Sequence, residues 1–484
     1  MLRLIVRQAN WGIIGSVFAF VVGFFVKTYV IREVGTSEWG KYATAHTFAM
    51  FADTIFSLGI PLVILKFFPS FMQSNKAKAK FLIYKFLKYA LVTSVLFLSI
   101  MFFSSSFIDK YIYVNTDNFS YLLLIISIHA PISIFMGIIT SIYRSVLKIR
   151  EIIIFGTFVG VPLRAVLTFL VFQFSSDIVC FVFAELLTQF VVIFLLYYNF
   201  HRKEMNLLVG NVPKLELGKD VVEYAKNIYL NSIIVFFSGQ SLAFVLGIML
   251  PPKMMGVYSI ILTITALTLF LNKNLRKIFA PVISKLYSEK NFSELNLLYK
   301  KTTFMINLLT IPFSILIIFF TDDILIVFAK DGSLLEYRNY LIVVMIARII
   351  SLLAGNTGSF MLMAGLEKQS LYIESVKAIL ITGLAVYLVE DYGLSAIVSL
   401  YIIFMVLSNL SSLFFIQKNI NINPFSKELF WLIFFSVPLF WASIRFSSQI
   451  NTNMYYYLLA PVLLYLLYFL VFYKNIKKLY KEII

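Results

Sequence analysis

Apolar stretches of about twenty residues recur along the entire chain, each long enough to cross a hydrocarbon layer of roughly 30 Å as one helix. Little sequence separates them. That repetition leaves almost no material for a domain in water. Of 484 residues, 60% are hydrophobic and only 13% charged, whereas soluble domains are about a quarter charged; mean hydropathy is +0.89. Continuous apolar runs such as residues 17–25 and 315–320 exclude a membrane β-barrel, whose strands alternate apolar and polar residues. Spans are predicted at about 10–31, 42–65, 86–103, 119–142, 152–173, 178–198, 228–250, 255–271, 302–320, 339–363, 371–389, 394–416, 429–446 and 455–473. The predicted fold is therefore all-α, a polytopic membrane protein of about fourteen transmembrane helices. The basic start runs straight into the first of these spans without a small-residue cleavage site, so it reads as a membrane helix and not a removed signal. A single cysteine, Cys180, rules out a disulfide within the chain.

The formal charge of +17 suggests nucleic acid until its distribution is followed. With the amino terminus in the cytoplasm, 31 of the 41 Lys and Arg fall on cytoplasmic segments, seven on outer segments and three deep within spans. The positive-inside rule then places both termini in the cytoplasm. The basic excess is a topology signal that also attracts anionic headgroups, and no nucleic-acid partner is expected.

Two halves of the sequence echo one another. Trp39-Gly40-Lys41-Tyr42 after the first span corresponds to Met255-Gly256-Val257-Tyr258 after the seventh, at an offset of 216. Lys66-Phe67-Phe68-Pro69-Ser70 matches Lys277-Ile278-Phe279-Ala280-Pro281, Tyr121-Leu122 matches Tyr340-Leu341, and Leu147-Lys148 matches Glu367-Lys368, at offsets of 211, 219 and 220. Their common order indicates a duplicated six-span unit. An even number of spans returns the chain to the same side, giving parallel repeats about an axis along the membrane normal. The expected organisation is a six-helix lobe over 1–200, a cytoplasmic linker over 201–227, a second six-helix lobe over 228–417 and a two-helix extension over 418–484. Such symmetry suits a two-lobed transporter better than a scaffold, because the outer loops are short. A membrane-embedded glycosyltransferase or polymerase is the competing class. Its only candidate acids are Asp322-Asp323, more simply read as a solvated turn at the end of a span.

These features carry a family resemblance. The helix Asn10–Arg32 leading into Gly35 and Trp39-Gly40-Lys41-Tyr42, Leu58-Gly59-Ile60-Pro61 ahead of Lys66, Gly256-Val257-Tyr258, Ala280-Pro281-Val282-Ile283-Ser284 and Ala364-Gly365-Leu366-Glu367-Lys368 resemble the Wzx-type polysaccharide flippases. That family lies within the multidrug, oligosaccharidyl-lipid and polysaccharide exporter superfamily. The resemblance implies outward translocation of an undecaprenyl-diphosphate-linked oligosaccharide by alternating access, for O-antigen, lipopolysaccharide or other surface polysaccharide, in the bacterial inner membrane, with polysaccharide polymerase machinery as a partner. A lipid II flippase and a cation-coupled multidrug exporter are the alternatives within the superfamily; the last two spans favour the polysaccharide and lipid II branches. Relatives carry an acid midway along the seventh helix where this chain has Gln240, a departure that weakens the case for cation coupling there.

Ionisable groups well inside spans are Lys27, Asp53, Arg164, Glu185 and Arg348, and a charge at mid-bilayer costs roughly 2.5–3.5 kcal/mol even on the lenient insertion scale. Arg164 and Arg348 each lie about 14 Å below the outer end of a span, one per lobe, where guanidinium groups can bind a diphosphate bidentately. Neutralisation of Arg164 by Glu185 is the competing reading. Lys27, Arg32 and Lys66 are either snorkelling residues or, by the resemblance, cations facing the central cavity. Asp53 is read as a partner of Lys27 or as an ion-coupling carboxylate, and Glu185 as the partner of Arg164 or as an ion-coupling carboxylate. His46 and His129, each alone in its span, read as helix-packing hydrogen-bonders, with a proton-relay role as the alternative because a histidine can titrate near neutral pH. Most of the aromatic residues belong to interfacial belts, as at Tyr455-Tyr456-Tyr457. No metal-ligand spacing, nucleotide-binding loop or nucleophile constellation is present, and Gly355-Asn356-Thr357-Gly358 lacks the following Lys-Thr. Neither a cofactor nor an enzymatic reaction is expected.

Overall fold

The computed structural model describes residues 2–116, 119–203 and 216–446, with Leu466, Tyr468, Leu470, Phe472 and Tyr473 beyond them. Most of the span predicted at 455–473, and residues 204–215 of the predicted linker, lie outside the described residues. Among those described, every regular element is helical. In order they are α1 (Leu2–Phe56), α2 (Ile60–Ser74), α3 (Lys76–Tyr111), α4 (Phe119–Ser127), α5 (His129–Ser145), α6 (Ile149–Ile152), a π-helical turn (Ile153–Val159), α7 (Gly160–Phe172), α8 (Ile178–Lys203), α9 (Lys219–Met249) and α10 (Pro252–Ser288). Then follow α11 (Phe292–Phe319), α12 (Thr321–Phe328), α13 (Arg338–Leu353), α14 (Thr357–Met363), α15 (Glu367–Ile420) and α16 (Lys427–Phe446).

Ten helices in the described residues are long and apolar enough to cross a membrane. Two of them, Ile14–Phe56 and Glu367–Ile420, have 43 and 54 residues, about 65 and 81 Å at 1.5 Å per residue, enough for two crossings each. Their bends are at Gly35 (φ 86°, ψ 165°) and Gly393 (φ 54°, ψ −133°). At Gly35 the chain doubles back: the Lys27 ammonium lies 5.0 Å from the Trp39 ring centroid, although twelve residues of straight helix would span about 18 Å. The bends explain why the connections predicted near 32–41 and 390–393 are largely helical. Other spans are interrupted. The second breaks at Leu58 and Gly59, both with positive φ, the fourth between α4 and α5, and the tenth at Ala354-Gly355-Asn356 between α13 and α14. Such irregular backbone at membrane depth is tolerated where protein surrounds it.

By contacts the chain divides into two compact units, Met1–Ile260 with Glu374–Tyr401, and Ile261–Ile373 with Ile402–Ile484. In the first, fully buried Val63, Ile64 and Phe68 of α2 pack with Leu82 and Ile83 of α3, Ile138 of α5 and Leu196 of α8. In the second, α11 is central. Its Phe304, Leu308, Ile311 and Ile315 pack against Leu429 and Leu432 of α16 and against Tyr468 and Phe472. Outward faces are apolar as well, as at Leu91, Val95, Phe102 and Phe103 of α3. This is the surface a lipid solvent requires.

The echoed motifs meet within the first unit. A Cβ on Gly40 would run into the Pro252 carbonyl oxygen, and one on Gly256 into the Thr36 carbonyl oxygen. Thr36 and Pro252 are separated by the same offset as the two glycines, so the contact is reciprocal, as a local two-fold relation demands. Trp39 Nε1 donates to Ser259 Oγ across the same junction at 3.2 Å. Glycine is required here by backbone-on-backbone approach.

Candidate functional site

Three of the charges singled out in the sequence converge in the first unit. The bend at Gly35 turns α1 back on itself, so one helix contributes Lys27 from its first arm and Trp39, Tyr42 and His46 from its second. From α7 comes Arg164, whose Nη1 lies 3.0 Å from Glu185 Oε1 on α8. Tyr42 donates its hydroxyl to the other carboxylate oxygen, Oε2, at 2.7 Å. Lys27 is close enough to interact electrostatically with both Glu185 and Arg164. Glu185 is 7% exposed, so two cations face one buried carboxylate and leave a surplus of one positive charge.

Arg164 does not use all its donors. Its side chain is 31% exposed, and Nε is buried with no hydrogen-bond partner among the described residues. One edge of the planar fork thus remains for an anionic oxygen. An aromatic wall flanks the charges: Trp39 lies 4.8 Å from Tyr42, and Phe181 packs edge-on against Tyr42 at 5.3 Å.

The two histidines, read separately in the sequence, are neighbours. Their rings meet edge-to-face at 5.2 Å, His46 lies 5.7 Å from Tyr42, and His129 Nε2 is 2.7 Å from Gln189 Nε2. Tyr42 and His46, like Glu185 and Gln189, are four residues apart and share a helix face. That spacing was the available sequence signal; which helices face each other was not.

Arg32 is exposed. Lys66 sits 3.6 Å from the Tyr224 ring centroid, and Asp53 lies near Ser133. Arg348 is 8% exposed, on α13 of the second unit. Near Gln240, a carboxylate comes from another helix: Ser238 of α9 donates to Glu374 of α15, which also lies 3.8 Å from Lys377. Asp322 pairs with Arg338 at 3.2 Å, and both Asp322 and Asp323 occupy the first turn of α12, where acids complement the helix dipole. They serve local structure there.

A family model described as polysaccharide biosynthesis protein matches residues 5–287, and a second, described as MatE, matches residues 228–388. No curated protein matches. Among solved structures, lipid II flippase MurJ in an inward closed conformation is similar with a TM-score of 0.72 at 16% identity, over 96% of this chain and 98% of that one. An inward-facing multidrug resistance MATE family transporter gives 0.64 at 14% identity, over 82% and 98%. A transporter of the MOP superfamily from Pyrococcus furiosus gives 0.61 at 15% identity, over 86% and 95%. These likenesses show a common fold.

Proposed function

Because this chain belongs to the polysaccharide biosynthesis protein family, with a family model matching residues 5–287, we propose that it translocates an undecaprenyl-diphosphate-linked oligosaccharide repeat unit outward across the bacterial cytoplasmic membrane. The two sequence halves, 1–200 and 228–417, act as lobes in alternating access, both termini lie in the cytoplasm, and the product passes to polysaccharide polymerase machinery. The observation that carries the substrate class is the use of Arg164. One nitrogen holds Glu185 and the Nε edge is left over, with Lys27 adding a second cation nearby. A diphosphate offers oxygens that match the guanidinium fork and carries about two charges to offset that surplus. Trp39, Tyr42 and Phe181, all buried, wall one side of the charges.

A second reading, lipid II translocation, is favoured by the TM-score of 0.72 with MurJ over 96% of this chain. Both readings are tested with purified protein in liposomes carrying either a labelled undecaprenyl-diphosphate oligosaccharide or labelled lipid II, followed by an impermeant outside reagent. Exposure of the first label, reduced at least tenfold by Arg164→Gln, is the expected result; a loss of about 1.4 kcal/mol corresponds to tenfold. Exposure of lipid II alone establishes the second reading. Export of small organic cations with no effect on either lipid establishes a drug exporter, and glycan extension without other proteins establishes an enzyme.

A further inference from the structure

His46 and His129 have no part in the scheme above, yet the fold places them in a closed circuit with it. Glu185 accepts from Tyr42, Tyr42 lies against His46, His46 against His129, and His129 Nε2 against the Gln189 amide. Gln189 is one turn beyond Glu185 on α8, so the chain of contacts returns to the helix it left. With the amide nitrogen donating to Nε2, His129 is neutral and carries its hydrogen on Nδ1. Turning the amide end for end presents its oxygen, which accepts from a protonated Nε2. Gln189 can therefore serve either state without moving a helix.

The charge balance decides which state is filled. His46 is within electrostatic reach of His129, Glu185, Lys27 and Arg164, and His129 within reach of Glu185. While Lys27 and Arg164 face Glu185, the site already holds one surplus positive charge, and a histidinium would add another at a buried position. An anion that engages Arg164 and Lys27 leaves Glu185 facing the imidazoles with no cation of its own. Two rings at 5.2 Å repel when both are charged, so the pair takes up one proton and not two. We propose that His46 and His129 form a one-proton site that fills when a diphosphate draws Arg164 away from Glu185 and empties when Arg164 returns. The identity of the anion rests on the function proposed above; the exchange between Arg164 and a proton does not.

The chain has three histidines, so the imidazole nitrogen signals of the full-length protein in lipid nanodiscs can be followed individually. His201, whose ring lies against Tyr197, is the internal reference. At about pH 6.5, where a free imidazole is half charged, the pair should be neutral in the empty protein and gain one proton on addition of farnesyl diphosphate. Arg164→Gln removes the surplus positive charge and should fill the pair without any ligand, raising its protonated-to-neutral ratio at least tenfold, since loss of a like charge at close range has about that effect. Adding Glu185→Gln should reverse this. Gln189→Glu, nearly isosteric, should also hold the proton in the empty protein. A pair that stays neutral in both Arg164→Gln and Gln189→Glu overturns the proton site. A pair that fills in those variants but gains nothing when bound farnesyl diphosphate shifts the site's other signals overturns the link to the anion. If farnesyl diphosphate moves no signal while the variants fill, the diphosphate reading falls and the proton site stands.

Discussion

Arg164 and Glu185 form an ion pair, and what a pair of this kind does is decided by removing both halves. Either single change to Gln leaves the other charge without its partner; because Arg164 is about a third exposed, the expected cost is about 1–2 kcal/mol, well short of the roughly 3–5 kcal/mol of a fully buried break. The double change should restore the melting temperature in detergent. Flipping should nonetheless remain low, because the fork proposed to bind substrate is gone; recovery of transport in the double variant would reduce Arg164 to a structural partner. Arg348 lies in the second unit. Arg348→Gln should reach normal membrane abundance with little transport, and Arg348→Lys should recover part of it, since an ammonium keeps the charge but lacks the planar donor pair. Full transport by Arg348→Gln at normal abundance removes it from the site.

At the scale of elements, glycines shape the first unit for two different reasons, and substitution separates them. Gly35 has open space around it but a backbone conformation reserved almost entirely for glycine, so Gly35→Ala should cost about 1–3 kcal/mol through φ/ψ strain alone. Gly40 and Gly256 face carbonyl oxygens. Their Ala variants must push two backbones apart, and each should lower the melting temperature further than Gly35→Ala does. Gly12, inside α1 with nothing near its missing Cβ, is the control, and Gly12→Ala should be neutral or slightly stabilising. Equal effects at all four positions in a detergent melting series would refute this division.

Across the whole protein, the proposed diphosphate cargo would tie transport to the membrane potential. Moving one charge through 100 mV is worth about 2.3 kcal/mol, so an inside-negative potential favours outward passage of a diphosphate with about two charges by roughly twice that. A proton carried on the histidine pair reduces the net charge moved to about one and halves the voltage dependence. Liposomes under a potassium-diffusion potential should therefore flip the lipid faster when inside-negative, without any sodium or proton gradient. The His46→Gln/His129→Gln variant should show about twice the voltage sensitivity of the unaltered protein. Rates indifferent to the sign of the potential would point to electroneutral coupling, with Asp53 and Glu374 the first carboxylates to replace.

Hydropathy alone was enough to establish a helical membrane protein, because burial in lipid demands long apolar segments whatever their arrangement. The correspondence between Gly40 and Gly256 was also legible, since both keep their motif neighbours and meet in a reciprocal contact, and the pairing of Arg164 with Glu185 could be anticipated from the short connection between their helices. Helix boundaries were less so. Gly35 and Gly393 bend helices that hydropathy divides into separate spans, while Gly59 and Gly355 interrupt spans that hydropathy leaves continuous; φ is a local choice that a hydropathy window does not register. Least legible was the company each polar residue keeps. His46 and His129 look isolated along the chain, and Gln189 looks like any polar residue in a span, because a helix period says which residues share a face and not which face lies opposite. Only the packing of α1, α5, α7 and α8 brings Lys27, Tyr42, His46, His129, Arg164, Glu185 and Gln189 together, where a low dielectric makes each charge depend on the next.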